Sequence, residues 1–210
     1  MRVGNLPGIR RLPMYLTLLR HFKDSGQEKV SAAALAGKAG LVTSVVRKDL
    51  EMAGAVGTTG IGYETESLIT VIEAFLGWDN PYDAFLVGAG NMGTALLCTR
   101  QLRDKLNFVA AFDADPAKVG RAVCGVEVMP MEKLAPLAER MHIGVGVLAV
   151  PPGAAQAAAD MLVAGGIKRI WSFAPEIIEV PEGVVVQRED LSAGLAVLLV
   201  RGGKEDAVSL

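Results

Sequence analysis

Apolar side chains recur at helical spacing through most of the first 77 residues. Residues 10–23 place them on one face, which predicts a first helix. Ser31 is predicted to cap a second helix over residues 32–37, and Thr43 or Ser44 is predicted to cap a third. Three short helices joined by tight turns are typical of a helix-turn-helix.

A glycine-rich stretch follows the third helix. Residues 55–63 alternate apolar positions with glycines, which predicts a two-stranded hairpin of the kind called a wing. Residues 64–77 return to helical spacing, and residues 78–81 break it at a proline. We therefore predict a winged-helix domain over residues 1–80.

From residue 82 onward, short apolar runs alternate with helical segments. The predicted strands are residues 84–87, 108–112, 126–128, 143–150, 169–172 and 184–186, with helices over 94–102 and 152–164. Strands that alternate with helices favour a parallel sheet covered on both faces. The fold class is therefore predicted to be α/β, with the winged-helix domain followed by a Rossmann-type parallel-sheet domain over residues 81–188.

A GxGxxG motif lies between the first strand and the first helix of this second domain. Its residues are Gly88, Ala89, Gly90, Asn91, Met92 and Gly93. Gly88 permits a tight turn, Gly90 lets the backbone approach a pyrophosphate, and Gly93 lets the helix pack on the sheet. Unpaired N–H groups at the helix N-terminus favour phosphate. The motif predicts a dinucleotide site, the alternative being a Rossmann-like domain for another nucleotide-containing ligand.

An acidic residue stands where a dinucleotide fold needs one. Asp113 follows the second strand, twenty-five residues after Gly88. A carboxylate there accepts hydrogen bonds from the ribose hydroxyls and repels a 2′-phosphate, so NADH and NAD+ are favoured over their phosphorylated forms. The alternative is that Asp113 only opens the turn over residues 113–116.

Charge is distributed unevenly along the chain. The net charge is −2, yet residues 1–62 carry nine Lys or Arg against four Asp or Glu, and the remainder carries twelve against nineteen. A basic N-terminal region suggests contact with a polyanion, although basic helical faces are often only solvated.

Composition restricts the remaining classes of protein. Hydrophobic residues make up 51% of the chain, which is enough for buried cores. Residues 1–11 lack an apolar stretch and no uncharged apolar run reaches 18 residues, so we expect neither a signal peptide nor a membrane span. Cys98 and Cys124 form no metal-ligand pattern. We therefore expect ordinary buried thiols in a cytoplasmic protein, with no metal site.

The residues of a dehydrogenase are missing. Catalysis next to a nicotinamide needs a proton donor or acceptor. His21 lies in the first helix and His142 just before a strand, while residues 149–151 and 172–175 at the strand ends are mostly apolar and small. We therefore expect binding without turnover and assign no catalytic residue.

Taken together, these motifs resemble the Rex family of redox-sensing transcriptional repressors. The similarity extends from the first helix to about Leu199. Its landmarks are residues 11–13, Arg47-Lys48-Asp49-Leu50, residues 60–63, the glycine motif, residues 112–120, Val150-Pro151 and Phe173-Ala174-Pro175. The resemblance implies a homodimer that represses genes of fermentation and respiration. It also implies that NADH closes the dimer and releases DNA, whereas NAD+ competes and permits repression.

The resemblance implies that the last helix is exchanged between subunits, which makes residues 189–210 a swapped dimer-exchange helix and tail. Its apolar residues are Leu191, Leu195, Val197, Leu198 and Leu199. An exposed apolar helix favours a partner. Packing on its own domain is the alternative that the sequence leaves open.

Further site residues follow from the resemblance. Besides the glycine motif and Asp113, the implied cofactor contacts are Lys118, Val150, Pro151, Ser172, Phe173 and Ala174. The implied contacts to operator DNA are Arg10, Arg11, Thr43, Ser44, Arg47 and Lys48, with Thr58 and Thr59 in the wing. Arg47 is suited to bidentate recognition of guanine and the others to holding phosphates. The alternative is that Arg47 and Lys48 form ion pairs with Asp49 or Glu51.

The chain departs from the family at three places. Most relatives carry an Arg or Lys in the wing, where this chain has Thr58 and Thr59, and Glu51 stands where relatives commonly have Ser. Some relatives couple their domains through an Arg, a Tyr and an Asp. These positions correspond to Thr17, Thr99 and Asp190 in this sequence, so only the Asp is kept.

Three functions compete at this stage. The first is an NAD(H)-responsive repressor that binds operator DNA. The second is a Rex-like paralogue that binds dinucleotide but recognises a different operator or a protein partner, as the altered wing suggests. The third is an enzyme, or a CoA-binding domain with a helical appendage.

Overall fold

The computed structural model describes residues 5–202 and divides the chain into two compact units after Asn80. The helices of the N-terminal unit are α1 (Leu6–Asp24), α2 (Ala32–Ala39), α3 (Thr43–Met52) and α4 (Thr65–Leu76). Two-residue strands β1 (Lys29–Val30) and β2 (Tyr63–Glu64) pair in antiparallel fashion. The helices close around a core of Leu12, Leu16, Leu19, Leu35, Val46, Leu50, Leu68 and Ile72.

The predicted cap of the second helix is confirmed and that of the third is wrong. The Ser31 hydroxyl accepts a hydrogen bond from the Ala34 N–H at 3.1 Å. Thr43 is instead the first helical residue of α3, and Val42 occupies the cap position without a side-chain hydrogen bond. Thr43 and Ser44 therefore lie within the first turn of α3.

The predicted two-stranded hairpin over residues 55–63 is present only as a single antiparallel bridge. The loop closes through a single bridge between Thr58 and Gly62, and Tyr63 pairs with Val30 of β1 rather than with the loop. Gly60 and Gly62 both have positive φ angles, which glycine adopts readily in a tight turn. We call residues 55–63 the wing loop.

The C-terminal unit is built on a seven-stranded sheet. Its strands are β3 (Tyr82–Val87), β4 (Leu106–Asp113), β5 (Ala122–Val123), β6 (Val126–Pro130), β7 (Val145–Leu148), β8 (Arg169–Ser172) and β9 (Val185–Arg188). Its helices are α5 (Asn91–Cys98), α6 (Arg100–Arg103), α7 (Leu134–Met141), α8 (Ala155–Ala164) and α9 (Leu191–Gly202). The predicted helix over 94–102 is thus two helices broken at Thr99, and β1, β5 and α7 were not predicted.

The order of the strands places the loops that follow the parallel strands at the carboxyl edge of the sheet. The order is β5-β6-β4-β3-β7-β8-β9, and every pair is parallel except β5 with β6. The chain leaves β3 towards β4 and later returns on the other side to β7. The strand order therefore reverses at β3, which is where open α/β sheets bind ligands beyond the strands' carboxyl ends.

The expectation of ordinary buried thiols is wrong. Cys98 and Cys124 are joined by a disulfide, and both residues are exposed. Cys98 ends α5, whereas Cys124 lies in the turn between β5 and β6. Twenty-six positions separate them along the chain, so their contact depends on the fold and leaves no local signal in the sequence.

Helix α9 packs against no core within the single chain. None of its residues is buried, and Leu191, Leu195 and Leu198 are between 56% and 68% exposed. Residues 203–210, the predicted tail, lie outside the described residues. Among residues 5–202 no helix is long and apolar enough to cross a membrane, and no group of three or more His, Cys, Asp or Glu is placed to hold a metal.

Candidate functional site

Loops from four parallel strands meet at the carboxyl edge of the sheet in the C-terminal unit. Backbone hydrogen bonds connect each loop to its neighbouring strand: Gly88 N–H to Phe112 O, Ala149 N–H to Val87 O, and Phe173 N–H to Leu148 O, each at 2.8 Å. The edge therefore gathers the implied cofactor residues, which are the glycine motif, Asp113, Lys118, Val150, Pro151, Ser172, Phe173 and Ala174.

The three glycines of the motif are required for different reasons. Gly88 has a φ of 97°, and a Cβ there would collide with the Ala149 carbonyl. A Cβ on Gly93 would collide with the Gly88 carbonyl. Gly90 has an ordinary φ of −82°, and no described protein atom lies within 4 Å of the position a Cβ would take. The fold itself therefore leaves open space at Gly90, which suits close approach of a pyrophosphate.

Helix α5 starts directly at this open space. Gly90 is its cap residue and provides no side-chain cap, and the side chains of Asn91 and Met92 are exposed. The first N–H groups of a helix lack partners within the helix and carry partial positive charge. These groups and the glycine backbone fit the phosphates of a dinucleotide.

Asp113 connects the end of β4 to the glycine motif. Its Oδ2 accepts the Ala89 N–H at 2.8 Å and the Lys118 ammonium at 2.9 Å, and its Oδ1 accepts the Asp115 N–H at 2.9 Å. Burial is the largest influence and opposes ionisation, but these three hydrogen bonds prevail and hold the pKa of Asp113 below its ordinary value. The carboxylate is therefore an anion at the edge of the cofactor cradle.

The loops after β7 and β8 are joined to each other. The Gly153 N–H donates to Glu176 Oε1 at 2.5 Å, Glu179 N–H donates to Gln156 Oε1, and Gln156 Nε2 donates to the Glu179 carbonyl. Val150 is half-buried and Pro151 exposed at this edge, whereas Ser172 and Ala174 are buried. The latter two can therefore affect a ligand only through the backbone or the shape of the loop.

The exposed face of α3 carries the predicted DNA contacts. Ser44, Arg47 and Lys48 are exposed and Thr43 is half-buried. Neither Arg47 nor Lys48 forms an ion pair within residues 5–202, so the alternative pairing with Asp49 or Glu51 is not seen. A groove of about 670 Å³ runs between α3, the start of α2 and the wing loop, lined among others by Ser31, Arg47, Glu51, Thr58 and Thr59.

Asp49 points in the opposite direction from Arg47 and is completely buried. Arg11 of α1 donates two hydrogen bonds to it, from Nε to Oδ2 at 2.7 Å and from Nη2 to Oδ1 at 2.8 Å. The Tyr15 hydroxyl donates to Oδ2 at 2.8 Å. A Cβ on Gly8 would lie 2.7 Å from Asp49 Oδ1, so only glycine at position 8 leaves room for the carboxylate.

The protonation states of this cluster follow from its geometry. Burial favours a neutral Asp49, yet the bonds from Arg11 and Tyr15 hold the pKa of Asp49 below its ordinary value. The hydrogen bond to Asp49 raises the pKa of Arg11, and burial together with that carboxylate raises the pKa of Tyr15 to about 12. An ionised Asp49 thus joins α3 to α1.

Gly8, Tyr15 and Asp49 were missed by the sequence analysis as members of a site. One signal was present: Val46, Asp49, Leu50 and Ala53 share the apolar face of α3, so a carboxylate at position 49 had to be buried and needed a partner. Arg10 is exposed, whereas the Arg11 guanidinium is already engaged. The contact of Arg11 with DNA stays a prediction.

The three positions that couple the domains in some relatives have local partners in this chain. Thr17 Oγ1 donates to the Pro13 carbonyl and Thr99 Oγ1 to the Ala95 carbonyl, each four residues earlier. Asp190 precedes α9, where its Oδ1 accepts the Ser192 N–H at 2.9 Å. Hydrogen bonds from the Ser192 hydroxyl and N–H hold the pKa of Asp190 below its ordinary value. Asp190 therefore caps a helix in this chain.

Two protein-family models match the chain. One is described as a CoA binding domain and matches residues 79–176. The other is described as a putative DNA-binding protein N-terminus and matches residues 6–51. The first match lies in the C-terminal unit apart from residues 79 and 80, and the second lies within the N-terminal unit.

Several curated relatives cover nearly the whole chain. The redox-sensing transcriptional repressor Rex of Bacteroides fragilis is 40% identical over 196 residues, which is 93% of this chain and 89% of that protein. Rex of Treponema denticola is 40% identical over 94% of both chains. Rex of Streptomyces avermitilis is 38% identical over 90% of this chain and 76% of that protein.

Solved structures agree with these relatives. RSP, a Rex-family repressor, superposes with a TM-score of 0.88 at 32% identity, covering 99% of this chain and 97% of that one. RSP in complex with NAD+ and operator DNA gives a TM-score of 0.89 at 33% identity, covering 99% and 96%. By sequence over more than nine tenths of its length and by fold, the chain belongs to the Rex family of redox-sensing transcriptional repressors.

Proposed function

We propose that this protein is a transcriptional repressor that binds operator DNA as a homodimer and releases it when NADH binds, so that repression follows the ratio of NADH to NAD+. Residues 1–80 form its DNA-binding domain, residues 81–188 its NAD(H)-binding domain, and residues 189–210 its dimer-exchange helix and tail. A repressor acts where the chromosome lies, which in a bacterium is the cytoplasm. No catalytic step and no metal is assigned to it.

One observation carries the proposal. The chain combines a recognition helix whose Arg47 and Lys48 are exposed and unpaired within the described residues with a glycine cradle that is open at Gly90. The first feature fits a polyanion and the second fits a pyrophosphate. Relatives that match the chain across both units are named redox-sensing repressors.

Different residues of the first domain have different roles towards DNA. Arg47 is placed on α3 to hydrogen-bond a base edge, and Lys48, Ser44 and Arg10 are placed to hold phosphates. Thr58 and Thr59 offer hydroxyls but no charge at the tip of the wing loop. The wing loop therefore adds little to the electrostatic attraction, and α3 supplies most of the affinity.

The second domain holds the dinucleotide through groups that the fold has already positioned. The glycine backbone and the start of α5 face the pyrophosphate, and Asp113 and Lys118 lie where the adenosine ribose is bound. Val150, Pro151 and Phe173 supply apolar contacts towards the nicotinamide. No hydride is transferred to or from the nicotinamide, because its redox state is the signal that the protein reads.

Helix α9 supplies the dimer contact. Its exposed apolar side chains include Leu195, Val197, Leu199 and Val200. A contiguous apolar helix that is exposed in one chain is typical of an interface. A second copy of the same helix and domain gives it a symmetric partner.

Fluorescence anisotropy with an A·T-rich inverted-repeat duplex tests the proposal. We expect tight binding in NAD+, loss of binding in NADH, and no effect of coenzyme A. Linkage adds a check, because a tenfold weakening of DNA binding by NADH requires DNA to weaken NADH binding tenfold, a coupling of about 1.4 kcal/mol. NADH binding without DNA binding in any condition would instead indicate a paralogue with another operator or partner.

Matched variants locate the DNA contact. Arg47→Ala should relax discrimination at one base pair and weaken DNA binding by about 1 to 3 kcal/mol. Lys48→Ala should weaken binding to all DNA sequences alike and lower the slope of log affinity against log salt concentration by about 1. Lys38→Ala is the control, because Lys38 is equally exposed but lies in a separate groove with Leu18 and His21. Equal losses in all three variants would contradict the placement on α3.

A further inference from the structure

The disulfide between Cys98 and Cys124 joins two segments that each begin at the cofactor cradle. Cys98 ends the helix that starts at the glycine motif, and Cys124 follows the segment that starts at Asp113. The other ends of these two segments meet where the Ala89 N–H donates to Asp113. The hydrogen bond and the disulfide therefore close a ring of chain at its two ends, with the cradle at the end where Ala89 meets Asp113.

The backbone at Cys124 does not explain why a cysteine stands there. Cys124 and Gly125 are the two central residues of the turn between β5 and β6, with φ angles of 49° and 84°. Turns with two positive φ angles favour Asn or Asp before Gly, and a cysteine in this conformation is uncommon. The residue type is therefore better explained by its sulfur than by the turn.

Both cysteines are accessible, and the elements that carry them do not depend on the disulfide for burial. Cys98 and Cys124 are both exposed residues, so the disulfide lies at the surface, where a dithiol can approach it. Leu97, Val126 and Val128 are buried in one apolar cluster directly beneath them. This packing holds α5 and β6 on the sheet when the sulfurs are separate, which makes the bond reversible without unfolding.

We propose that Cys98 and Cys124 form a thiol–disulfide site that exchanges with cellular dithiols and adjusts the affinity for NADH. The proposal rests on NADH binding as described above. In compartments that keep thiols reduced, a disulfide is usually transient and serves catalysis or redox sensing. The sulfur pair thus gives the protein a second redox input, independent of the nicotinamide.

The exchange balances as a two-electron transfer. A thiolate of the dithiol attacks one sulfur of the pair, the Cys98–Cys124 bond breaks, and a mixed disulfide forms. The second thiol of the reductant then attacks this mixed disulfide and releases the second cysteine. Two electrons and two protons pass to Cys98 and Cys124, and the reductant leaves as a disulfide.

The oxidised form binds NADH more tightly. With the disulfide intact, the ring that carries Ala89 and Asp113 is closed at both ends, so less ordering of the cradle is needed when the dinucleotide binds. Reduction opens one end and weakens NADH binding about fivefold, at the low end of typical coupling between two sites. By reciprocity NADH makes the disulfide harder to reduce by the same factor, a shift of about 20 mV.

Titration of NADH fluorescence with the oxidised and the dithiothreitol-reduced protein tests this coupling, and alkylation with mass spectrometry reports the state of both cysteines. A second measurement equilibrates the protein in dithiothreitol redox buffers with and without NADH. The proposal predicts weaker NADH binding after reduction and a more negative midpoint with NADH. Equal affinities in both states, an unchanged midpoint, or a disulfide that excess dithiothreitol leaves intact would each overturn it.

Cys124→Asn is the decisive variant. Asparagine suits the turn conformation, so the variant keeps the fold while removing one sulfur. We expect it to bind NADH like the reduced protein in both oxidising and reducing buffer, and Cys98→Ser to match it. A Cys124→Asn protein with the affinity of the oxidised form would overturn the proposal. Absence of NADH binding in both states would refute the proposed function as well, whereas binding that ignores the sulfur state refutes the coupling alone.

Discussion

Each unit of the molecule buries one carboxylate next to its functional surface, and the two are held differently. Asp49 is 0% exposed and is bound entirely by side chains of another helix, those of Arg11 and Tyr15. Asp113 is 9% exposed and is bound by two backbone N–H groups and by Lys118, from segments that adjoin the cradle. The first is closed to any ligand, and the second stands at an open edge.

The difference indicates what each buried charge does. A sealed ion pair positions the elements it joins, because removing one partner leaves the other buried and uncompensated. A carboxylate at an edge keeps acceptor capacity for an incoming ligand. We therefore assign Asp49 to the geometry of the DNA surface and Asp113 to the chemistry of the cofactor surface.

The largest effect is expected from Asp49→Asn. The substitution leaves the half-buried Arg11 guanidinium facing a neutral amide, so the free energy of unfolding of the N-terminal unit should fall by about 3 kcal/mol, the low end for breaking a buried pair. Urea unfolding followed by circular dichroism measures the loss. Asp24→Asn, at an exposed carboxylate that ends the same α1, is the control and should change little. Equal free energies of unfolding for the two variants would mean that Asp49 does not position α1 and α3, which would contradict its assigned role.

The next effect is expected from Asp113→Asn, and it falls on binding. Loss of the charged acceptor should weaken NADH binding by about 1.5 to 3 kcal/mol. Lys118 would also lose its partner, so the preference for NADH over NADPH should shrink. Isothermal titration with both dinucleotides measures this, with Asp115→Asn as the exposed neighbouring control. Unchanged NADH affinity would mean that Asp113 only shapes the loop.

Tyr15→Phe should have an intermediate effect that depends on pH. Removing the hydroxyl takes one hydrogen bond from a buried carboxylate and should cost about 1 to 2 kcal/mol at neutral pH. Because burial and Asp49 raise the pKa of Tyr15 from 10.0 to about 12, its share of the stability is present below pH 10 and is lost as the pH rises towards 12. Ultraviolet titration of the three tyrosines should show one late transition, absent in Tyr15→Phe and kept in Tyr82→Phe. No late transition in the native protein would contradict the cluster.

The depressed pKa of Asp49 acts at the other end of the pH range. A carboxylate whose pKa is lower in the folded state contributes stability above its unfolded pKa, and this is lost as the pH falls. Acid unfolding of the N-terminal unit should therefore be steeper in the native protein than in Asp49→Asn.

The smallest effect is expected from Glu51→Gln. Glu51 is an exposed carboxylate on α3 that shares the groove with Arg47, so it repels phosphate without being buried. Removing its charge should strengthen DNA binding by less than about 1 kcal/mol and mostly at low salt. Glu28→Gln provides an exposed control away from the groove. If Glu51→Gln strengthened DNA binding by as much as Asp113→Asn weakens NADH binding, burial would not explain why these carboxylates differ in importance.

The sequence predicted the architecture because helices, strands and the glycine motif each leave a local pattern, and the proposed cofactor residues meet at one edge of the sheet. Apolar periodicity placed α1, β8 and α8 with small errors at their ends, and the glycine motif located the cradle. Contacts between residues that are far apart in the sequence could not be predicted from local patterns. The pairing of β2 with β1 rather than with the wing loop, the grip of Arg11 on Asp49 and the bond between Cys98 and Cys124 each join residues more than 25 positions apart.

The wing loop has a consequence for how such proteins diversify. Residues 56–61 are all exposed, and the loop is closed by little more than the bridge between Thr58 and Gly62. Substitutions at its tip therefore escape the constraint that packing places on α1 and α3. Substitution at Thr58 or Thr59 is therefore expected to change the DNA-facing surface at little cost to folding, whereas Gly57, Gly60 and Gly62 are held by close contacts or positive φ angles.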